Sequence, residues 1–253
     1  MHLPGFTLLS LLTALLPSPT PAAADARDAP ALVDVLPLTD HIIMLHFDEG
    51  HVIHHKRGMA RADEQVIIHP LDTSAASRPE SYSIRSPDDP AYATARTPAS
   101  VARKSKGTDF AWFVDGWKDG HAVNTRPDHT KEHWIYLALP APLRPGTTYT
   151  IHTGELAGNG QVWTLPFDEA KVRSEAVHVN LLGYVPSAPR KAASVFHWMG
   201  DRGGLDLQDH DGRPFHLIDE STGRAVFTGK LAFRMPANQP ETLDFIGIRS
   251  SLG

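Results

Sequence analysis

The stretch HFDEGHVIHHKRG, residues 46–58, places four histidines in thirteen positions of a chain with 15 histidines and no cysteine. Imidazole at this density raises metal binding first, and the spacing decides against most of it. On a strand, successive side chains alternate, so His54 and His55 face opposite ways. His51 and His55 share a face but stand about 13 Å apart at strand rise, too far for one zinc ion. A helix would align them, yet Gly50, Val52 and Ile53 disfavour helix and no HExxH pattern is present. Asp48-Glu49-Gly50 reads as a three-residue turn, leaving His46 and His51 as the one pair able to meet across a hairpin. The stretch is therefore read as a hairpin with scattered imidazoles, with metal binding as the alternative.

A second cluster lies in GHAVNTRPDHTKEHW: His121, Asp128, His129 and His133. The 129/133 spacing suits two metal ligands on a helical turn opened by Pro127, with Asp128 beside them. The competing reading is a polar loop running into a strand at Trp134. Glycoside hydrolysis needs two carboxyl groups facing each other across about 5 to 9.5 Å. Asp109, Asp115, Asp119 and Glu132 qualify by type, but spacing alone fixes no such pair. Flat rings stack on sugar faces. Trp117, in VDGWKDGH, sits among turn residues and charges and is the first candidate, with Trp112 the second; the apolar runs around Trp112 and Trp134 also suit core packing. No GxSxG elbow and no GxxxxGK[ST] loop occurs, and no cofactor is expected.

The elements that must position these residues are short strands. Pro at 21 and Gly at 19 favour many turns, and 41% hydrophobic residues suffice for a real core. A formal charge of −5 without a basic face argues against nucleic acid as a partner. Residues 1–24 read as a signal peptide: the apolar run Phe6 to Leu16 is too short for a stable span, and Ala22-Ala23-Ala24 suits cleavage. That reading predicts a secreted or periplasmic protein with no membrane contact after cleavage, standing without disulfides. Ile42 to Phe47 is apolar on both faces, as in a central strand. Residues 70–108 read as loops with short strands such as Ser81 to Ile84. Phe110 to Val114 and Trp134 to Leu139 read as strands around a polar excursion. LPAPLRPGTTYTIHTGELAGNGQVWTLPF (139–167) is strand–turn–strand, with Pro145-Gly146 and Asn159-Gly160 as turns.

DHIIMLHF together with LRPGTTYTIHTGELAGNG resembles the two ends of bacterial immunoglobulin-like modules, which makes 33–168 one β-sandwich with a long insertion. Beyond a polar connector at 168–174, VHVNLLGYVP (177–186) and PRKAA (189–193) carry a more specific pattern. So does FHLIDESTGRAVFTGKLAF (215–233), with its Ser221-Thr222-Gly223 turn. These segments resemble the N-terminal immunoglobulin-like domain of glycoside hydrolase family nine, the cellulase type, over about residues 174–235. The residues agree: Val177, Val179 and Leu181 alternate onto one face, and Gly183-Tyr184 begins a bend that Pro186 and Pro189 keep out of a ladder.

The reading is all-β: two immunoglobulin-like sandwiches in tandem, the second (174–253) incomplete and the chain part of a longer protein. The resemblance implies non-catalytic N-terminal modules of a secreted enzyme acting on β-linked glucans. Their partner would be a C-terminal catalytic barrel that the second module braces. Two readings from other classes stand beside it: an exported polysaccharide or cell-surface binder using Trp117, and a small metal-dependent enzyme using the 121–133 cluster.

Overall fold

The computed structural model describes residues 28–54 and 65–237, apart from the side chains of residues 112–115, 124 and 126. The proposed leader, His55 and the tail beyond 237 lie outside this range. Thirteen strands are described: β1 (Ala31–Thr39), β2 (Ile42–Asp48), β3 (Gly50–Ile53), β4 (Gln65–Ile68), β5 (Ser83–Arg85), β6 (Ser100–Lys118), β7 (His121–Ala138), β8 (Thr147–His152), β9 (Val162–Phe167), β10 (Val177–His178), β11 (Ser194–Val195), β12 (Pro214–Ile218) and β13 (Ala225–Lys230). A four-stranded antiparallel sheet in the order β1-β2-β7-β6 faces a three-stranded sheet in the order β5-β8-β9.

Alternation builds the core between them. Ile43, Leu45 and Phe47 of β2 and Ile135 and Leu137 of β7 point inward against Tyr149, Ile151, Leu165 and Phe167 of the facing sheet. Pro37 is tolerated in β1 because β1 is an edge strand, and the register shifts beside it. The segment 70–99 is tied to this core rather than loose. Asp72 caps a single helical turn, α1 (Thr73–Ala76), the Tyr82 hydroxyl donates to the Ala76 carbonyl at 2.7 Å, and the Tyr149 hydroxyl donates to Asp89 at 2.6 Å.

Both faces of β2 and β7 are apolar because the four-stranded sheet is covered on both sides. Its outer face carries Ile42, Met44, Tyr136, Ala102 and Leu38, and these pack on Ala176 and Met199 from the next part of the chain. Residues 174–237 contribute two small hairpins, β10 with β11 and β12 with β13. The Gly183 bend and the Gly223 turn stand where the sequence places them, both glycines at positive φ. The strand expected through Leu181 is shorter: β10 ends at His178, and Asn180 closes a turn by bonding to Leu182 and Gly183.

Three expectations are corrected. The DEG turn does not fold residues 42–54 into a hairpin. Glu49 gives its N–H to Lys131, β2 pairs with β1 and β7, and β3 crosses over to pair with β4. Gly50, at φ +137, permits the crossing, since a Cβ there would lie 2.0 Å from the Ile67 carbonyl oxygen. The loop expected to extend to residue 108 is strand from Ser100 onward, and the polar excursion between Val114 and Glu132 is strand as well. The helical turn expected at 129–133 is therefore part of β7. Beyond the end of β2, β6 and β7 form a two-stranded ribbon, with Asp119 and Gly120 turning the chain at its tip. Among the described residues, no helix is long and apolar enough to cross a membrane.

Candidate functional site

The histidines of the first cluster are dispersed. His46 on β2 stacks on Trp134 of β7, ring centroids 4.6 Å apart, and donates from Nε2 to Glu132 at 3.0 Å. Lys104 Nζ lies 4.4 Å from the centroid of the same indole. Lys104 and His46 belong to the two strands flanking β7, so Trp134 holds a cation and an imidazole and serves cross-strand packing. His51 is exposed on β3 opposite Ile67 and does not meet His46.

The second cluster is spread along β7. His121 pairs with Lys118 near the ribbon tip, His129 packs on Phe110, and Asp128 lies opposite Ala111. His129 and His133 are four residues apart on a strand, about 13 Å of rise, so the ligand pair that a helical turn would have made is not formed. Among the described residues, no group of three or more His, Cys, Asp or Glu is placed to hold a metal ion. Of the carboxylates, Asp109 accepts the Val52 N–H at 2.9 Å and Glu132 holds His46. Trp112 sits in β6 opposite Pro127, with its side chain outside the described set. Trp117, near the ribbon tip, is 63% exposed.

His133 instead sits at the inner face with 1% exposure, and Glu49, 4% exposed, lies beside it. Nε2 of His133 donates to Glu49 Oε1 at 2.9 Å, the same oxygen that takes the Leu71 N–H at 3.0 Å. Nδ1 then accepts from the Ser105 hydroxyl at 2.7 Å, and the Arg103 guanidinium donates to Ser105 Oγ. Burial holds the His133 pKa below 6.5, against the pull of Glu49. Reading Glu49 as a turn residue hid this chain; the parity of His133 with Ile135 and Leu137 was the signal that places it inward.

A half-buried imidazole, His197, marks the seam between the two parts of the chain. Tyr136 donates its hydroxyl to His197 Nε2 at 2.8 Å, while His197 Nδ1–H points to the Glu175 carbonyl. Burial is again the largest cause of a lowered His197 pKa. Nearby, Gly200 presses its backbone on β6. A Cβ there would lie 2.1 Å from the Arg103 carbonyl oxygen, and Asp201 accepts the Arg103 N–H at 2.8 Å, capping the free edge of the sheet.

Both histidines are neutral in the fold, so their protonation in the unfolded chain draws stability away. Stability is full above about pH 6.5, the ordinary histidine value, and falls as pH descends from there toward each depressed folded value. A urea midpoint that declines between pH 7 and pH 5, and declines less in Tyr136→Phe/His197→Gln, checks this.

Beyond the seam residues, many apolar side chains of residues 177–230 are exposed. Leu181 and Leu182 are 96% and 98% exposed, and Val185, Trp198, Leu217, Val226 and Phe227 are exposed with them.

Strand order, facing sheets and the docked hairpins define the class: an all-β protein of immunoglobulin-like type. More particularly, residues 172–245 match the family model of the cellulase N-terminal ig-like domain. That span contains the seam residues from Ala176 to Asp201 and every one of the open side chains just named. No curated protein matches the chain, and no solved structure does.

Proposed function

We propose that the chain forms the N-terminal modules of a secreted family-nine-type glycoside hydrolase that breaks down β-linked glucans. Residues 1–24 direct export, 33–168 form the first module, and 174 onward form the module that braces a catalytic barrel. The observation that carries this reading is the overlap of the family match at 172–245 with the open apolar residues Leu181, Leu182, Val185, Leu217 and Phe227. Covering several such side chains contributes about 1.5–3 kcal/mol each when burial is complete, enough to hold a barrel in place. Joined at its C-terminal end to a family-nine-type barrel, the chain is expected to raise the barrel's melting temperature by several degrees. Leu181→Asp/Leu182→Asp removes that gain; a barrel that melts at the same temperature with and without the chain contradicts the reading.

A second reading rests on Trp117, whose indole stands exposed on the ribbon. In affinity electrophoresis through soluble glucan, the chain is expected to be retarded, and Trp117→Ala to migrate freely with unchanged stability. Equal mobility of both proteins with and without glucan ends that reading.

A further inference from the structure

Ser105, His133 and Glu49 are hydrogen-bonded in series, with the Arg103 guanidinium donating to the Ser105 hydroxyl. We propose that Ser105 is a nucleophile that accepts acyl groups from carboxylic esters. Three features separate it from an ordinary surface serine. Its hydroxyl donates to His133 Nδ1 at 2.7 Å, and His133 is fixed in that tautomer by Glu49 Oε1 at 2.9 Å, the nucleophile–base–orienter geometry that activates hydroxyls. The base and its carboxylate are buried while Ser105 is an exposed residue, so the proton relay is shielded and the nucleophile stands at its solvent end. Burial also keeps His133 neutral at pH 7, as a general base must be.

The third feature is the source of oxyanion donors. Ser105 and His133 are directly opposed, as are Arg103 and Ile135. Arg103 gives its N–H to Asp201 outside the sheet, so ladder alternation turns the Ser105 N–H, two residues on, toward the same open edge. That amide and the Arg103 guanidinium at Oγ flank the place where a carbonyl oxygen would gain charge.

In the acylation step Ser105 Oγ bonds to the ester carbonyl carbon, and its proton passes to His133 Nδ1. The carbon–alkoxy bond breaks and the leaving alkoxide takes that proton as the alcohol. Water then attacks the acyl-serine, its proton passes through His133 back to Ser105 Oγ, and the carboxylic acid departs. Ester and water become acid and alcohol, with no oxidant or reductant required. An alkyl fluorophosphonate reports the first half: an Oγ–P bond forms, fluoride leaves and His133 takes the proton.

Incubated with such a probe, the folded chain is expected to gain one phosphonyl adduct, located by mass spectrometry at Ser105. Ser105→Ala abolishes it, and Glu49→Gln slows it by about 100-fold, the lower end of what general-base assistance supplies. Because variants at this buried pair can lose stability, the wild-type pH profile is the second measurement: labelling falls as pH drops and His133 gains a proton. No adduct at Ser105, an adduct at other serines only, or a rate indifferent to Glu49→Gln and to pH would overturn the proposal and leave a structural hydrogen-bond chain only.

Discussion

His133→Ala is expected to lower folding stability by about 1.5–3 kcal/mol, the contribution of a buried hydrogen bond to a carboxylate. Glu49 is 4% exposed, and its Oε1 takes donors from His133 and from the Leu71 amide. Without the imidazole the carboxylate keeps the amide and loses the charge-assisted bond that offsets its burial. The damage spreads because Glu49 also sits at the crossing from β2 to β3, where its own amide meets Lys131 and its carbonyl meets the His69 amide. Urea unfolding at pH 7.5 measures the loss. His133→Gln, which restores a donor, should recover part of it, whereas a loss below about 1 kcal/mol for the alanine variant contradicts this account of the crossing.

Gly200→Val is expected to separate residues 174–237 from the four-stranded sheet. Gly200 holds φ +68 with its Cα against the backbone of Arg103 and Lys104, so an added side chain meets carbonyl and Cα atoms that have nowhere to move. Freed from the seam, Met199 no longer covers Met44, Tyr136 and Ala102, at a cost of at least about 2 kcal/mol in lost burial. The Tyr136–His197 bond goes with it. Limited proteolysis reads the result as rapid cleavage in the 168–174 connector, with the preceding sandwich left intact. Wild-type resistance in the variant would show that Gly200 is not the point of contact.

The parts of the fold legible in the sequence are those where burial imposes a pattern. Ile42 to Phe47, Trp134 to Leu139 and Thr148 to Ile151 show apolar runs because sheet faces on both sides or one side demand them. Gly183 and the Ser221-Thr222-Gly223 turn were legible because side-chain chemistry and positive φ leave few alternatives, whereas the Asn180 turn was hidden inside an apparent strand alternation. The ribbon was not, since its residues from Gly116 to Glu132 are largely polar and exposed, and a two-stranded ladder in solvent imposes no alternation. Asp48-Glu49-Gly50 carries the composition of a hairpin turn, but composition does not say which strand the chain pairs with next. That one misreading separated Glu49 from His133 and hid the buried pair. Trp134, read as core, does pack against the outer-face cluster, and it is also held between Lys104 and His46, a cross-strand arrangement that becomes visible only with register.

The central claim is that the open apolar faces of residues 177–230 are the surface on which a catalytic barrel sits. Hydrogen exchange of the chain, alone and joined to a family-nine-type barrel, tests it most directly. The account predicts slowed exchange in 180–186 and in β12 and β13 when the barrel is present, with the core of the first sandwich unchanged. Exchange in those segments that is identical with and without the barrel would contradict it.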